Sequence, residues 1–240
     1  MRSRAEYLRE MGITRWRSAG ANGSTGSIHP TLNDIDGDET ETVAGSHVSF
    51  ELLAAEVAHC QQCSLHQSRT QSVFGFGNIN ADWMIVGEAP GAEEDRQGIP
   101  FVGRAGGLLT EMLKSVGLAR DSVYVSNVLK CRPPNNRDPQ GLEVEQCLPY
   151  LHAQIQMIQP RIILALGRFA AQALLATSEP LAKLRGPVHQ YGAGRVPLIV
   201  TYHPAYLLRS PHEKAKAWED LKQAMSLFRQ QRSEPLDRSL

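Results

Sequence analysis

The residues able to do chemistry fall in three short stretches, each directly behind an apolar run. The longest is Gly87-Glu88-Ala89-Pro90-Gly91-Ala92-Glu93-Glu94-Asp95, continuing through Gly98-Ile99-Pro100-Phe101-Val102-Gly103, and it follows Trp83-Met84-Ile85-Val86. The second begins at Asn127 and runs to Arg137. The third, Tyr202-His203-Pro204-Ala205-Tyr206-Leu207-Leu208-Arg209, follows the apolar Leu198–Thr201. Together they offer carboxylates, an amide, an imidazole and an aromatic ring. An asparagine can both donate to and accept from a flat, amide-like ring. A histidine can stabilise negative charge developing on a nearby oxygen, and an aromatic ring can stack on a base taken out of a duplex. Singly, each has a plainer use: Asn127 as a turn former, His203 as a structural histidine, Phe101 as core, Glu88 and Glu94 as complements to a helix dipole. Their shared placement behind strands favours one site. A phosphate cradle is disfavoured, because the glycine-rich loop lacks both G-x-G-x-x-G and G-K-[ST] and its acids would repel phosphate.

Four cysteines add a second kind of chemistry: Cys60 and Cys63 as a C-x2-C pair, then Cys131 and Cys147. A chain without secretory features rarely spends four cysteines on disulfides, and the C-x2-C pair is typical of metal or cluster ligation. Softness of the thiolates alone leaves zinc and an iron–sulfur cluster both open. Either would tie the segment before the first strand to the loop after the second.

The elements that position these residues alternate. Strands are expected at Trp83–Val86, Val123–Ser126, Ile162–Leu166 and Leu198–Thr201. Helices are expected at Val48–Val57, Gly106–Val116, Leu142–Ile158, Ala170–Ala176 and His212–Phe228. Such alternation implies a parallel sheet with helices on both faces, and in open α/β sheets ligands bind at the carboxyl ends of the strands. The chain has 240 residues, enough for one sizeable core, with 25 Lys plus Arg against 25 Asp plus Glu. Zero net charge excludes a global basic field, so nucleic-acid binding needs a local patch. The expectation is a cytoplasmic protein, since no apolar run approaches a membrane span and the charged N-terminus lacks the core of a signal peptide; a monomer is also expected.

Outside the globular part, residues 1–17 hold an amphipathic peptide with Tyr7, Leu8, Met11, Ile13 and Trp16 set among arginines and acids. Residues 18–47 read as a flexible linker rich in Gly, Ser, Thr, Asn and Asp, residues 48–230 as the folded domain and residues 231–240 as a tail. Asp34–Glu39 echoes part of a calcium loop but lacks its closing glutamate. An anchor-bearing peptide on a linker suits a partner-binding tether better than a segment packed on the domain. Its pattern resembles the N-terminal peptide of the psi subunit of bacterial DNA polymerase III, which implies the chi subunit as a partner of residues 1–16.

The strand-end motifs with the cysteine framework resemble the family 4 uracil-DNA glycosylases over about residues 50–228. The motifs are Gly87-Glu88-Ala89-Pro90-Gly91, Pro100-Phe101-Val102-Gly103, Asn127-Val128-Leu129-Lys130-Cys131-Arg132-Pro133-Pro134 and His203-Pro204-Ala205-Tyr206-Leu207-Leu208-Arg209. The resemblance implies a three-layer α/β/α fold with a central four-stranded parallel sheet. It also implies a [4Fe–4S] cluster on Cys60, Cys63, Cys131 and Cys147, against zinc. It further implies hydrolysis of the glycosidic bond of uracil in DNA to leave an abasic site. Phe101 would then stack on the flipped base, Asn127 would read its pyrimidine edge and His203 would stabilise charge on O2. Glu88 and the backbone of Ala89 would lie beside the sugar, and Glu94 near C5, where it would disfavour thymine. Leu207, Leu208 and Arg209 would form a loop wedging into the duplex, with Lys130, Arg132, Arg137 and Arg209 as phosphate contacts. The basic insert Lys-Arg-Arg-Ile-His, with which a related branch traps uracil covalently, is absent, so turnover is expected. The alternative is a catalytically weak, psi-like polymerase accessory subunit that uses the domain as scaffold.

Overall fold

The computed structural model describes residues 41–233. The N-terminal peptide, most of the linker with its Asp34–Glu39 acids, and most of the tail lie outside the described residues. The chain enters through helix α1 (Glu41–His59), which begins before the Val48 expected from composition, and passes the cysteine pair and a 3-10 turn at Ser64–Gln67. There follow β1 (Phe76–Gly77), β2 (Trp83–Gly87), α2 (Ala92–Gln97), α3 (Arg104–Ser115), β3 (Tyr124–Asn127), α4 (Gly141–Ile158) and β4 (Ile162–Leu166). The second half holds α5 (Arg168–Leu175), α6 (Leu181–Leu184), β5 (His189–Tyr191), β6 (Val196–Thr201), α7 (Pro204–Arg209) and α8 (Lys214–Ser233).

The strands form one sheet in the order β1-β3-β2-β4-β6-β5. Its centre, β3-β2-β4-β6, is parallel throughout, as the alternation of elements requires. Two short strands extend it at the edges, β1 on β3 and β5 on β6, both antiparallel. The expected four-stranded parallel sheet is therefore the core of a six-stranded mixed one. The edges escape sequence reading because β1 has two residues and β5 is polar, too little for an apolar period to show.

Every residue of β2, β3 and β4 is buried, which is why those segments read as continuous apolar runs and not as alternations. The strand period of two still sorts their side chains. Met84, Val86, Ile163, Ala165 and Val200 face one way, onto Leu151 and Ile155 of α4 and Ala171 and Leu174 of α5. Trp83, Ile85, Ile162, Leu164 and Ile199 face the other, onto Leu109 and Leu113 of α3 and Leu221 and Ala224 of α8. This is the three-layer α/β/α arrangement. From β2 the chain crosses first to β3 on one side and then to β4 on the other, which opens a crevice at the carboxyl end of β2. Among the described residues no helix is long and apolar enough to cross a membrane.

Candidate active site

The turns leaving β2, β3, β4 and β6 wall a cleft of about 860 Å³ that gathers Glu88, Ala89, Glu94, Phe101, Asn127 and His203. Glu88 is the first residue past β2, and the sheet ladder runs on beneath it: the Leu129 N–H donates to the Glu88 carbonyl at 3.0 Å. Burial first, then the charge of Asp138, push the Glu88 carboxyl up to about 7, with Arg168 opposing. Its charge therefore changes near neutral pH.

Asn127 ends β3 in register with Gly87. Its side chain is 1% exposed, and its Oδ1 is buried with no hydrogen-bond partner. Leaving such an acceptor open costs about 1–3 kcal/mol, so the cleft presents an unfilled demand for an N–H. Gly87 makes the arrangement possible. A Cβ there would come within 2.3 Å of Asn127 Oδ1 and 2.6 Å of Phe101 Cζ.

Phe101 has a left-handed backbone, φ +56°, which for a bulky residue must be imposed by its surroundings. Three groups impose it. Gly106 gives room, since a Cβ on it would meet the Phe101 carbonyl oxygen at 1.7 Å. Arg120 donates from Nη2 to the Pro100 carbonyl at 2.7 Å, with its guanidinium carbon 6.0 Å from the Phe101 ring centroid. Glu94 accepts from the Val102 and Gly103 N–H groups at 3.0 Å through Oε1, and from Gly91 N–H at 3.1 Å through Oε2. Glu94 thus lines the cleft while fastening both ends of its loop, a positioning task that the sequence alone did not reveal.

His203 caps α7. The Ala205 N–H donates to its Nδ1 at 3.1 Å, so the neutral ring carries its proton on Nε2. Burial, aided by Arg209 and opposed by Glu94, lowers its pKa to about 4, which keeps the imidazole neutral at physiological pH. Its ring centroid lies 5.5 Å from that of Phe101. Gly167, at φ +87° just past β4, lets the chain pass: a Cβ there would sit 3.1 Å from the His203 Cβ. A neutral N–H donor, an open carbonyl acceptor, an aromatic face and a carboxylate therefore share one cleft.

Two expectations are corrected. Leu207-Leu208-Arg209 is not a loop but the last turn of α7. Leu207 is 1% exposed and packs in the core, whereas Leu208 is 36% exposed. Lys130 is not a phosphate contact. It is 1% exposed, and its Nζ donates to Ser126 Oγ at 2.6 Å, Gln154 Oε1 at 2.6 Å and the Asn127 carbonyl at 2.8 Å. Of the other expected cations, Arg209 and Arg137 line the cleft, the latter paired with Glu143. Arg132 bonds Asn136.

The cysteines come from three separate segments, and Cys60, Cys63, Cys131 and Cys147 line one small cavity, none of them in a disulfide. Two already receive donors. Arg69 Nη1 points at Cys131 Sγ at 3.0 Å, and the Lys130 backbone N–H at Cys147 Sγ at 3.2 Å. Such N–H···S bonds suit a thiolate ligand set, whose hydrogen bonds tune a bound cluster.

Residues 74–222 match the family described as the Uracil DNA glycosylase superfamily. The chain belongs to the uracil DNA glycosylase superfamily. Within it, the chain is 45% identical over 180 residues to the type-4 uracil-DNA glycosylase of Archaeoglobus fulgidus, an alignment covering 72% of this chain and 90% of that protein. It is 47% identical over 180 residues to the type-4 enzyme of Pyrobaculum aerophilum, covering 72% and 92%. With the type-4 enzyme of Thermotoga maritima it shares 43% over 186 residues, covering 76% and 96%. The superfamily match encloses Glu88, Phe101, Asn127 and His203. What sequence reading missed in this superfamily member are the spacing tasks of Gly87, Gly106 and Gly167 and the brace Arg120. Gly87 and Gly167 did leave a signal, since each directly closes an apolar strand.

Proposed function

We propose that this chain hydrolyses the N-glycosidic bond of uracil in DNA. The observation that carries the reading is the open, buried Asn127 Oδ1 beside the Phe101 ring and the neutral His203. Uracil offers an N–H between two carbonyls on a flat ring, and the asparagine oxygen is placed to accept from it. As the bond between C1′ and N1 breaks, its electron pair leaves with the base and charge grows on O2. An N–H donor preorganised for that charge acts mainly in the transition state, and His203 Nε2–H is such a donor. Water, oriented by the Glu88 carboxylate, then adds to the cationic sugar carbon and gives its proton to that carboxylate, which returns it to solvent. The 42–47% identity to several type-4 enzymes supports the same reaction. Nothing observed favours the psi-like accessory subunit.

We infer also that the four cysteines hold a [4Fe–4S] cluster, which would serve as a structural cross-link. What supports this is one cavity lined by four cysteines from three separate segments; thiolate chemistry alone suits zinc or a cluster, and the resemblance of the cysteine framework to the family 4 enzymes favours the cluster. Tethering of residues 1–16 to the chi subunit, and a cytoplasmic monomer, rest on the sequence pattern alone.

The direct test is an oligonucleotide carrying one uracil: incubation should produce an alkali-labile site, and an oligonucleotide that stays intact would overturn the reading. Glu88 adds a pH dependence. Its carboxylate is the working form, so the rate should climb as pH rises through about 7. Glu88→Gln should flatten that limb and slow release at pH 8 by at least about tenfold. The sign for stability is opposite. A carboxyl whose folded pKa lies above its unfolded value loses stability as pH rises between the two, here from 4.5 to about 7. Glu88→Gln should therefore melt higher than the parent at pH 8 and no higher at pH 4.

A further inference from the structure

We propose that Tyr206, backed by Tyr202 and Arg185, is a stacking platform for an unpaired base next to the uracil. The proposal rests on the glycosylase reading and deepens it, adding a second recognition element on the same strand. Both tyrosines line the cleft that holds Asn127 and His203. Their rings are stacked, centroids 5.1 Å apart and planes 27° from parallel. The Arg185 guanidinium carbon lies 4.1 Å from the centroid of Tyr202. That guanidinium is itself paired: it donates to both carboxylate oxygens of Asp220, at 2.9 and 3.0 Å, where the two side chains are only 13% and 5% exposed. Tyr202 is thus clamped by a buried ion pair, and Tyr206 rests on a clamped ring.

Tyr206 is nevertheless 36% exposed. An aromatic held in place yet open to the cleft has little packing reason to be there, whereas base–aromatic stacking is the usual way proteins hold single strands. Pre-ordering lowers the side-chain entropy that binding would otherwise cost. The position also suits the neighbour of the target base, since the Tyr206 N–H donates to the His203 carbonyl at 2.9 Å and so stands beside the histidine. Winding of α7 selects which side chains face the substrate. Ala205, Tyr206 and Arg209 line the cleft, Leu207 enters the core, and Leu208 is exposed elsewhere. Arg209, at the cleft rim one turn after Tyr206, supplies a cation for the adjoining phosphate. A base on this platform must be unpaired, so the expected ligand is a single strand or an opened duplex. Every base has a π face, so the platform should accept any of them.

The test uses the full chain and single-stranded oligonucleotides with one uracil, flanked on both sides by ordinary nucleotides or by tetrahydrofuran abasic analogues. Affinity is measured at one salt concentration and excision is followed in parallel. For the parent protein, removing the flanking bases should weaken binding roughly tenfold. For Tyr206→Ala the same removal should change affinity by less than about twofold, while Tyr206→Phe and Tyr206→Trp should restore the dependence. Equal melting temperatures of the variants would exclude a folding defect. An alanine variant that keeps the full flank dependence, or a parent protein without any, overturns the proposal. A parent protein that releases no uracil from any strand overturns the glycosylase reading instead, and the binding data still decide the platform.

Discussion

His203→Ala should slow uracil release about a hundred- to thousandfold, mostly in kcat, the loss typical for one preorganised donor at a developing oxyanion. The magnitude follows from the donor's state. A ring with Nδ1 committed to the Ala205 N–H and a pKa lowered to about 4 donates from Nε2 without itself being charged. It therefore stabilises the departing base without needing protonation, and its contribution should be constant from about pH 5 upward. The acid limb of the rate near neutrality belongs to Glu88. His203→Gln, which keeps a neutral N–H near the same place, should recover part of the rate. Asn127→Ala acts on another quantity. It removes the open Oδ1 acceptor and opens space beside Phe101, so discrimination between uracil and other pyrimidines should fall along with affinity. Single-turnover rates and uracil-to-cytosine ratios separate the two variants. An alanine at 203 that excises at the parent rate would falsify the proposed role.

Cys147→Ser should abolish absorbance near 400 nm and destabilise the domain on the order of 4 kcal/mol, a fall in Tm of about 10 °C for a chain of this size. The argument is topological. Cys60 and Cys63 follow α1, Cys131 follows β3 and Cys147 lies in α4, so a group bound to all four cross-links segments far apart in the chain and restricts the unfolded state. Activity should fall with stability by a traceable route. The Lys130 N–H bonds Cys147, and the Lys130 ammonium bonds the Asn127 carbonyl. Loosening the cysteine loop therefore releases the backbone of the base-reading asparagine. A serine variant that is colourless, melts like the parent and excises uracil normally would remove the cluster from this account.

The parallel centre of the sheet was legible because four short apolar runs alternating with helical periods are local signals that together imply parallel strands. The place of the site was legible for the same reason: a polar loop behind a buried strand must open at its carboxyl end. Local signals also located α4, across Gly141–Ile158, within a residue. They could not reach the edge strands β1 and β5, whose pairing is long-range and whose residues carry no apolar period. Nor could they say which face a motif residue presents. Leu207 and Tyr206 are neighbours in one motif, yet a helical step of about 100° sends one to the core and leaves the other in the cleft. Lys130 reads as a surface cation, but Ser126, Gln154 and the Asn127 carbonyl, gathered from β3 and α4, supply the partners that let a lysine be buried. Glu94 reads as an acid for substrate, and only the return of the Pro100–Gly103 segment shows that its oxygens also hold the loop. The sequence by itself determined the residue types, their order along the chain and the strand ends where they gather. Tertiary structure alone decided which groups find partners and which, like Asn127 Oδ1, are left open, because hydrogen-bond satisfaction and burial are set by chain segments far apart in sequence.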